Sequence, residues 1–147
     1  MTGAPGPLVL ELTCALDASR EWVFKALTDP AELVKWWGPS GFTTPEIEIH
    51  PEVGGHYRLG MQPPDSELFY LAGEFLEIDA PTRLAYTFRW EDPDPDDQET
   101  VVRLSLQAVA GRTRLSLWQG PFATQARLAL HRSGWIDSLQ KLTDLLR

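Results

Sequence analysis

The sequence has one cysteine and no asparagine in 147 residues. A single cysteine cannot form an internal disulfide or a thiolate metal cluster, and the alternating apolar residues around Cys14 indicate a buried, unreactive thiol. The lack of asparagine excludes N-glycosylation. Long apolar runs and an apolar N-terminal signal segment are also missing, so we expect a cytoplasmic protein with no membrane partner.

Basic residues are scarce, since 13 lysines and arginines face 21 aspartates and glutamates and the net charge is -8. This surplus of negative charge repels phosphate backbones, so nucleic acid is not an expected partner. The hydrophobic residues, 43% of the chain, are enough for one core, and no linker divides the sequence. We therefore predict a single domain over residues 1–147, with a disordered Pro/Gly-rich tail at residues 1–7.

Signatures of common enzymes are missing as well. The chain has no G-x-S-x-G elbow, phosphate-binding loop, dinucleotide fingerprint or H-E-x-x-H motif. Glu46, Glu48 and His50 alternate along one predicted strand and resemble a metal triad in composition. The opposite face of that strand carries Ile47 and Ile49, which must face the core, so the triad is expected to be solvated. We predict no metal, no cofactor and no catalytic residue.

Hydrophobic periodicity divides the chain into strands and helices. Ser19 and Asp29 are typical first residues of two short helices, and an apolar spacing of three or four after Pro121 predicts a long terminal helix. The acidic segment 91–99 is expected to be a solvated hairpin loop with no function. The predicted strands, which alternate with period two, span residues 8–16, 43–50, 56–62, 68–78, 82–91, 99–109 and 112–119.

This order of elements predicts an α+β fold in which the terminal helix covers the apolar face of an antiparallel sheet. A strongly twisted sheet that wraps around one helix leaves space between the two. Gly134 lies inside the predicted helix, where glycine costs about 1 kcal/mol relative to alanine. We expect that its missing side chain leaves room for a bound molecule.

Four segments in order resemble one known superfamily: W-W-G-P-S-G-F at 36–42, V-G-G at 53–55, G-E-F-L-E-I-D-A-P-T-R-L at 73–84 and H-R-S-G-W at 131–135. They are similar to the START-like, helix-grip superfamily typified by the birch-pollen allergen. The closest branch is that of the activator of the heat-shock-protein-90 ATPase and polyketide cyclase-like proteins. The resemblance implies a curved antiparallel sheet around a long C-terminal helix, two short helices after the first strand, and a deep cavity whose ligands vary among members.

The candidate ligand site combines strand parity with the cavity that the resemblance implies. His131 and Trp135, four residues apart, share one helix face, where the imidazole either orients a ligand or is a core histidine bonded to a carbonyl or tyrosine. Trp36 and Trp37 would point about 100° apart on a helix, so we expect only one to enter the core and the other to cover an edge or act as a lid. The candidate residues are Trp37, Phe42, Ile49, Tyr57, Leu59, Met61, Tyr86, Phe88, Trp90, Leu104, Leu117, Phe122, His131 and Trp135.

Three functions follow as hypotheses. The first is non-catalytic binding of a hydrophobic small molecule, such as a lipid, polyketide or aromatic compound, because inward aromatics are abundant and no catalytic set is present. The second is a cyclase or aromatase in which His131 or a tyrosine moves a proton. The third, implied by the resemblance, is a co-chaperone that modulates the heat-shock-protein-90 ATPase. Exposed edge strands also make a homodimer a candidate assembly.

Overall fold

The structure is a computed structural model and describes residues 7–147. Except for Pro7, the tail that the sequence predicts to be disordered lies outside the described residues. The described chain forms seven strands and three helices in the predicted order. The elements are β1 (Leu10–Leu16), α1 (Arg20–Thr28), α2 (Pro30–Leu33), β2 (Thr43–Ile49), β3 (His56–Gln62), β4 (Phe69–Asp79), β5 (Arg83–Trp90), β6 (Thr100–Val109), β7 (Arg112–Gly120) and α3 (Gln125–Leu145).

The strands form one antiparallel sheet in the order β1-β7-β6-β5-β4-β3-β2. The first strand therefore pairs with the last, and each of the others lies beside its neighbour in sequence. The apolar side of the sheet and the long helix α3 enclose the core, to which α3 contributes Trp135, Leu139 and Leu142. This arrangement confirms the predicted α+β helix-grip fold.

The two short helices begin at the predicted residues. The Ser19 side chain accepts a hydrogen bond from the Trp22 amide at 3.3 Å, and that of Asp29 accepts one from the Ala31 amide at 2.9 Å. These bonds satisfy amide groups that lack partners in the first turn of a helix. The chain between the start of α1 and β2 is thereby folded back against the sheet.

Both adjacent tryptophans enter the core, so the expectation that only one of them would do so was wrong. Trp36 is fully buried and donates from Nε1 to the Ala26 carbonyl at 2.9 Å, while Trp37 packs against α3. The reason is that α2 ends at Leu33 and the following residues form turns. Outside a regular helix, neighbouring side chains are not held 100° apart around one axis.

The segment after Trp37 is attached to α3 by three hydrogen bonds. The amides of Gly38 and Ser40 donate to Ser138 and Asp137, at 3.1 and 3.2 Å, and Lys141 Nζ donates to the Pro39 carbonyl at 3.3 Å. These contacts hold the segment 38–40 against the C-terminal half of the helix.

Among the described residues, no helix has both the length and the apolar character needed to cross a membrane.

Candidate functional site

A cavity of about 400 Å³ lies between the sheet and α3. Its volume falls within the range of about 300–1,000 Å³ that is typical of small-molecule sites. The side chains around its interior are mainly aromatic or aliphatic, whereas the charged residues lie together at one end, which we call the mouth. The interior residues are Trp37, Phe42, Met61, Phe69, Leu71, Phe88, Trp90, His131, Trp135 and Ser138, the mouth residues are Asp92, Asp94, Asp97, Arg127 and Leu130, and Gly38, Pro39, Tyr70, Ser133 and Gly134 complete the lining.

The position of α3 explains why the cavity lies next to β3, β4 and β5 and not next to β1 and β7. The helix approaches β1 closely, and Trp135 Nε1 donates to Gln119 Oε1 in β7 at 2.7 Å. Gln119 in turn donates to the Thr100 hydroxyl at 2.9 Å, so the buried amide is satisfied at both ends. On the other side of α3, strands β3, β4 and β5 face the helix across the cavity.

Aromatic rings in edge contact form much of the cavity wall. Trp37 and Trp135 meet at a centroid distance of 5.2 Å and an interplanar angle of 78°. Trp90 contacts Phe88 edge to face and Phe69 at an interplanar angle of 44°, with both centroid distances at 5.3 Å. Edge-to-face pairs of this kind are favourable beyond the area they bury, so the wall has a defined shape.

His131 has a hydrogen-bond partner at each ring nitrogen. Nδ1 lies 2.7 Å from the Arg127 carbonyl, and Trp90 Nε1 lies 3.0 Å from His131 Nε2. An indole N–H can only donate, so Nε2 must be the acceptor and Nδ1 carries the proton. Burial lowers the pKa of His131. The imidazole is therefore neutral and bonded within the protein, as in the core-histidine alternative of the sequence analysis.

Two interior groups keep an unused donor. Ser138 is only 5% exposed and its hydroxyl accepts from the Gly38 amide, but no acceptor for the hydroxyl proton is found among the described residues. The indole N–H of Trp37 likewise has no acceptor in residues 7–147, although Trp37 is only 8% exposed. No fully buried side-chain polar atom is unpaired there. The Trp37 N–H must therefore be accessible to a small molecule, and Trp37 lines the main cavity and a smaller one beside it.

The mouth is formed by the β5–β6 connection and the first turns of α3. Arg127 contacts three carboxylates, with Nη2 at 2.7 Å from Asp94, Nε at 3.0 Å from Asp96 and Nη1 at 3.6 Å from Asp97. The Thr124 hydroxyl also donates to Asp96 at 3.0 Å. The acidic segment is thus attached to α3, and the Asp97 side chain is only 8% exposed. The expectation of a wholly solvated loop was wrong, because the sequence does not show that Arg127 would lie opposite these carboxylates.

The fourteen candidate residues divide into three groups. Seven line the main cavity: Trp37, Phe42, Met61, Phe88, Trp90, His131 and Trp135. Trp37 also borders a second cavity of about 20 Å³, which is room for about one water molecule, together with Ile49, Tyr57, Leu59 and Tyr86. Leu104, Leu117 and Phe122 are buried but do not line the main cavity.

The positions of these last three residues have structural reasons. Leu104 and Leu117 are paired across β6 and β7, two strands that contribute no residue to the lining of the main cavity. Phe122 lies against the His131 ring at a centroid distance of 4.9 Å and so supports the cavity wall from behind. Sequence parity identified the face of each strand correctly, but it could not show which half of that face the helix would cover.

Burial keeps both tyrosines that line the second cavity, Tyr57 and Tyr86, uncharged. The Tyr57 hydroxyl donates to the Thr87 carbonyl at 2.6 Å, and burial raises the pKa of Tyr57 well above its usual value. Burial also raises the pKa of Tyr86. Both groups are therefore neutral phenols at physiological pH, and neither is prepared to act as a base.

Sequence reasoning missed Phe69, Leu71, Arg127, Leu130 and Ser138. Phe69 and Leu71 belong to a predicted strand, and their spacing of two would have placed them on one face. Ser138 lies seven residues after His131, which is two helical turns, so the helical period also contained its signal. Arg127 and Leu130 lie on the first turns of α3, and no local pattern marks them as residues of a cavity mouth.

Solved bacterial structures share this fold over nearly their whole length. A Chromobacterium violaceum protein is 26% identical with a TM-score of 0.87, and the match covers 94% of this chain and 96% of that one. A Rhodobacter sphaeroides protein is 28% identical, with a TM-score of 0.81 and coverage of 98% and 95%. The AHSA1 protein of Silicibacter pomeroyi is 25% identical, with a TM-score of 0.83 and coverage of 94% and 96%.

Sequence comparison leads to the same group of proteins. No curated protein matches this sequence. The model of one family, described as activator of Hsp90 ATPase homolog 1-like protein, matches residues 17–147. That span contains all the elements except β1, together with every residue that lines the cavity. The chain therefore belongs to the family of activator of Hsp90 ATPase homolog 1-like proteins, within the START-like superfamily.

Proposed function

We propose that this protein binds an apolar small molecule in the cavity between the sheet and α3 and does not convert it chemically. The observation that carries the proposal is the cavity itself, whose 400 Å³ are enclosed mainly by aromatic and aliphatic side chains. The side chains that face a space of this size have no protein contacts on that side, and an apolar ligand would supply them. The few polar groups inside are suited to orient a guest.

The hydrogen bonds of the buried polar groups support binding without catalysis. A general base must reach the substrate proton, but both nitrogens of His131 already have partners, and the Tyr57 hydroxyl is bonded to a carbonyl. The cyclase or aromatase hypothesis would require His131 to leave Trp90 during turnover. It predicts that His131→Gln abolishes conversion of a polyketide-like substrate while the variant still binds it.

Binding can be measured with the neutral fluorescent probe N-phenyl-1-naphthylamine, which brightens in apolar surroundings. Gly134 borders the cavity, and a methyl group added there would meet only Pro39, at 3.7 Å. The variant Gly134→Leu should place its side chain in the cavity and weaken probe binding by about tenfold or more. Gly134→Ala should weaken it less, because a methyl group occupies less of that space.

Gln140→Leu is the matched control. Gln140 lies on the same helix, is exposed and does not line the cavity, so its replacement adds a similar side chain away from the site. We expect the affinity of this variant for the probe to equal that of the wild type. Equal affinities for wild type and Gly134→Leu would contradict the proposal, as would a wild-type protein that does not bind the probe.

The family description supports a second proposal, that the protein modulates an Hsp90 ATPase. Its test is the rate of ATP hydrolysis by a purified Hsp90, measured with and without this protein. A saturable change in rate, retained by Gly134→Leu, would support a chaperone role that is independent of the cavity. An unchanged rate would remove this proposal and leave small-molecule binding as it stands.

A further inference from the structure

We propose that the cavity selects an uncharged apolar molecule that carries a hydrogen-bond acceptor, such as a ketone or ester oxygen, and rejects the corresponding carboxylate. This inference rests on the proposed binding function and names the class of ligand. It follows from the distribution of charge and of unused donors among the residues that line the cavity.

The first observation is that the one cation of the lining is already neutralised. Among the described residues that line the cavity, Arg127 is the only lysine or arginine, and each of its three guanidinium nitrogens faces a different carboxylate. A ligand carboxylate would have to displace one of these partners. Lys141, on the same helix, is directed to the Pro39 carbonyl and lies outside the lining.

The second observation is that the mouth has a surplus of negative charge. Asp92, Asp94 and Asp97 line the cavity at its mouth, and among the described residues neither a hydrogen bond nor an ion pair engages the carboxylate of Asp92. An anion bound in the cavity would lie near these carboxylates and would lose its water in an aromatic interior without a free cation. A neutral molecule meets neither cost.

The third observation concerns the interior, where two buried side chains have a donor with no protein acceptor among the described residues. The Ser138 hydroxyl has a proton to give, and the Trp37 indole can only donate. A hydrocarbon leaves both without partners, whereas a carbonyl oxygen on the ligand accepts from one of them. Because unpaired buried donors are costly, the oxygen should increase affinity.

Three ligands of nearly equal size separate these effects. The ketone 2-acetylnaphthalene has the acceptor, 2-isopropylnaphthalene lacks it, and 2-naphthoate replaces the methyl group of the ketone with a charged oxygen. Each is tested for displacement of N-phenyl-1-naphthylamine at about pH 7.5, where the acid is ionised. We expect the ketone to bind about threefold or more tighter than the hydrocarbon and about tenfold or more tighter than the naphthoate.

Variants assign the discrimination to particular residues. Ser138→Ala and Trp37→Phe each remove a donor and should reduce the preference for the ketone over the hydrocarbon. Their effect on packing changes the affinity for both ligands and cancels in the ratio. Because Ser138→Ala also leaves the Gly38 amide without its acceptor, Trp37→Phe is the second variant if the first is poorly folded.

Asp92→Lys tests the charge at the mouth without breaking the contacts of Arg127. It should strengthen naphthoate binding by about tenfold in dilute buffer and by less in about 0.5 M sodium chloride, where the charges are screened. Glu52→Lys makes the same change of charge in an exposed turn that does not line the cavity, so it should leave naphthoate binding unchanged. Equal responses in the two variants would overturn the role of the mouth.

The outcomes separate this inference from the function on which it depends. If neither the probe nor any naphthalene binds, the proposed binding function fails. If all three naphthalenes bind with equal affinity, the cavity is a binding site but the inferred selectivity is wrong. Tighter binding of naphthoate than of the ketone would also overturn the inference, because it would require a cation available to the ligand.

Discussion

His131 links the wall of the cavity to the stability of the fold. Its pKa is lowered by burial, which outweighs the opposing effects of the hydrogen bond to the Arg127 carbonyl and of the Asp97 charge, while the Arg127 charge adds to the lowering. In the unfolded chain the imidazole titrates near its ordinary value of about 6.5. The folded state therefore binds the proton less readily than the unfolded state, and stability must fall as the pH drops below that value.

We predict that the urea midpoint of the wild type falls between about pH 7.5 and pH 5.5 by more than that of His131→Gln. The glutamine side chain offers an oxygen to the Trp90 indole but does not titrate in this range. Chemical denaturation of both proteins at the two pH values gives the comparison. An equal loss in both would show that other groups cause the acid sensitivity.

Gly73 is required by the close approach of another residue to its strand. A Cβ at this position would meet the Thr87 carbonyl oxygen and would lie 2.7 Å from the hydroxyl of Tyr57, its partner across β3 and β4. Tyr57 donates to the same carbonyl, so neither group has space to move away. Gly73→Ala should therefore lower the free energy of unfolding by about 3 kcal/mol.

The measurement for Gly73→Ala is equilibrium unfolding, with Ala108→Gly as a second strand variant that adds no atoms. Ala108 is exposed near the end of β6, so its replacement should cost only about 1 kcal/mol or less. A Gly73→Ala variant as stable as the wild type would mean that the strands separate to admit the methyl group.

Helix α3 carries a glycine that its own stability does not require. Gly134 lies well inside Gln125–Leu145, and an added methyl group would make only an ordinary contact with Pro39 at 3.7 Å. Gly134→Ala should raise the free energy of unfolding by up to about 1 kcal/mol, because alanine has the higher helix propensity. Thermal unfolding measures this gain, and a loss of stability would reveal a clash that the backbone position does not indicate.

All three ion pairs between the acidic β5–β6 connection and α3 are made by Arg127. Arg127→Gln removes the charge that faces Asp94, Asp96 and Asp97, and their mutual repulsion should then loosen the segment. We expect amide hydrogen exchange in residues 92–98 to become faster, with little change in β5 and β6. Arg112→Gln is the control, since Arg112 pairs with Asp17 and makes no ion pair with this segment. If Arg112→Gln also made exchange in residues 92–98 faster, the role given to Arg127 would be wrong.

The elements were predictable because each has a clear local signal. Period-two alternation defined the strands, and the side chains of Ser19 and Asp29 marked the helix starts, as their hydrogen bonds confirm. The end of α2 at Leu33 was less predictable, because no glycine or proline follows it before Gly38. Half of the candidate residues line the main cavity. The alternation of side chains along a strand shows which of them share a face, but it does not give the distance from that face to a helix far away in sequence.

At the scale of the whole molecule, the open edges of the sheet bear on assembly. Strand β2 forms one edge and contains Pro45, which has no amide to donate, and Glu46 and Glu48, whose charges oppose pairing with a second copy. A homodimer stays a prediction, and the β1 edge is the better candidate for its contact. Sedimentation at several concentrations would distinguish a dimer from the 16.5 kDa monomer.

The hydrogen bond between Trp90 and His131 gives the protein an optical property of its own. The Trp90 indole is both part of the cavity wall and joined to an imidazole, and two more tryptophans, Trp37 and Trp135, share that wall. Indole emission responds to the polarity and the protonation of neighbouring groups. Occupancy of the site and ionisation of the histidine are therefore expected to change the intrinsic fluorescence, so the unlabelled protein can report on natural compounds applied to it.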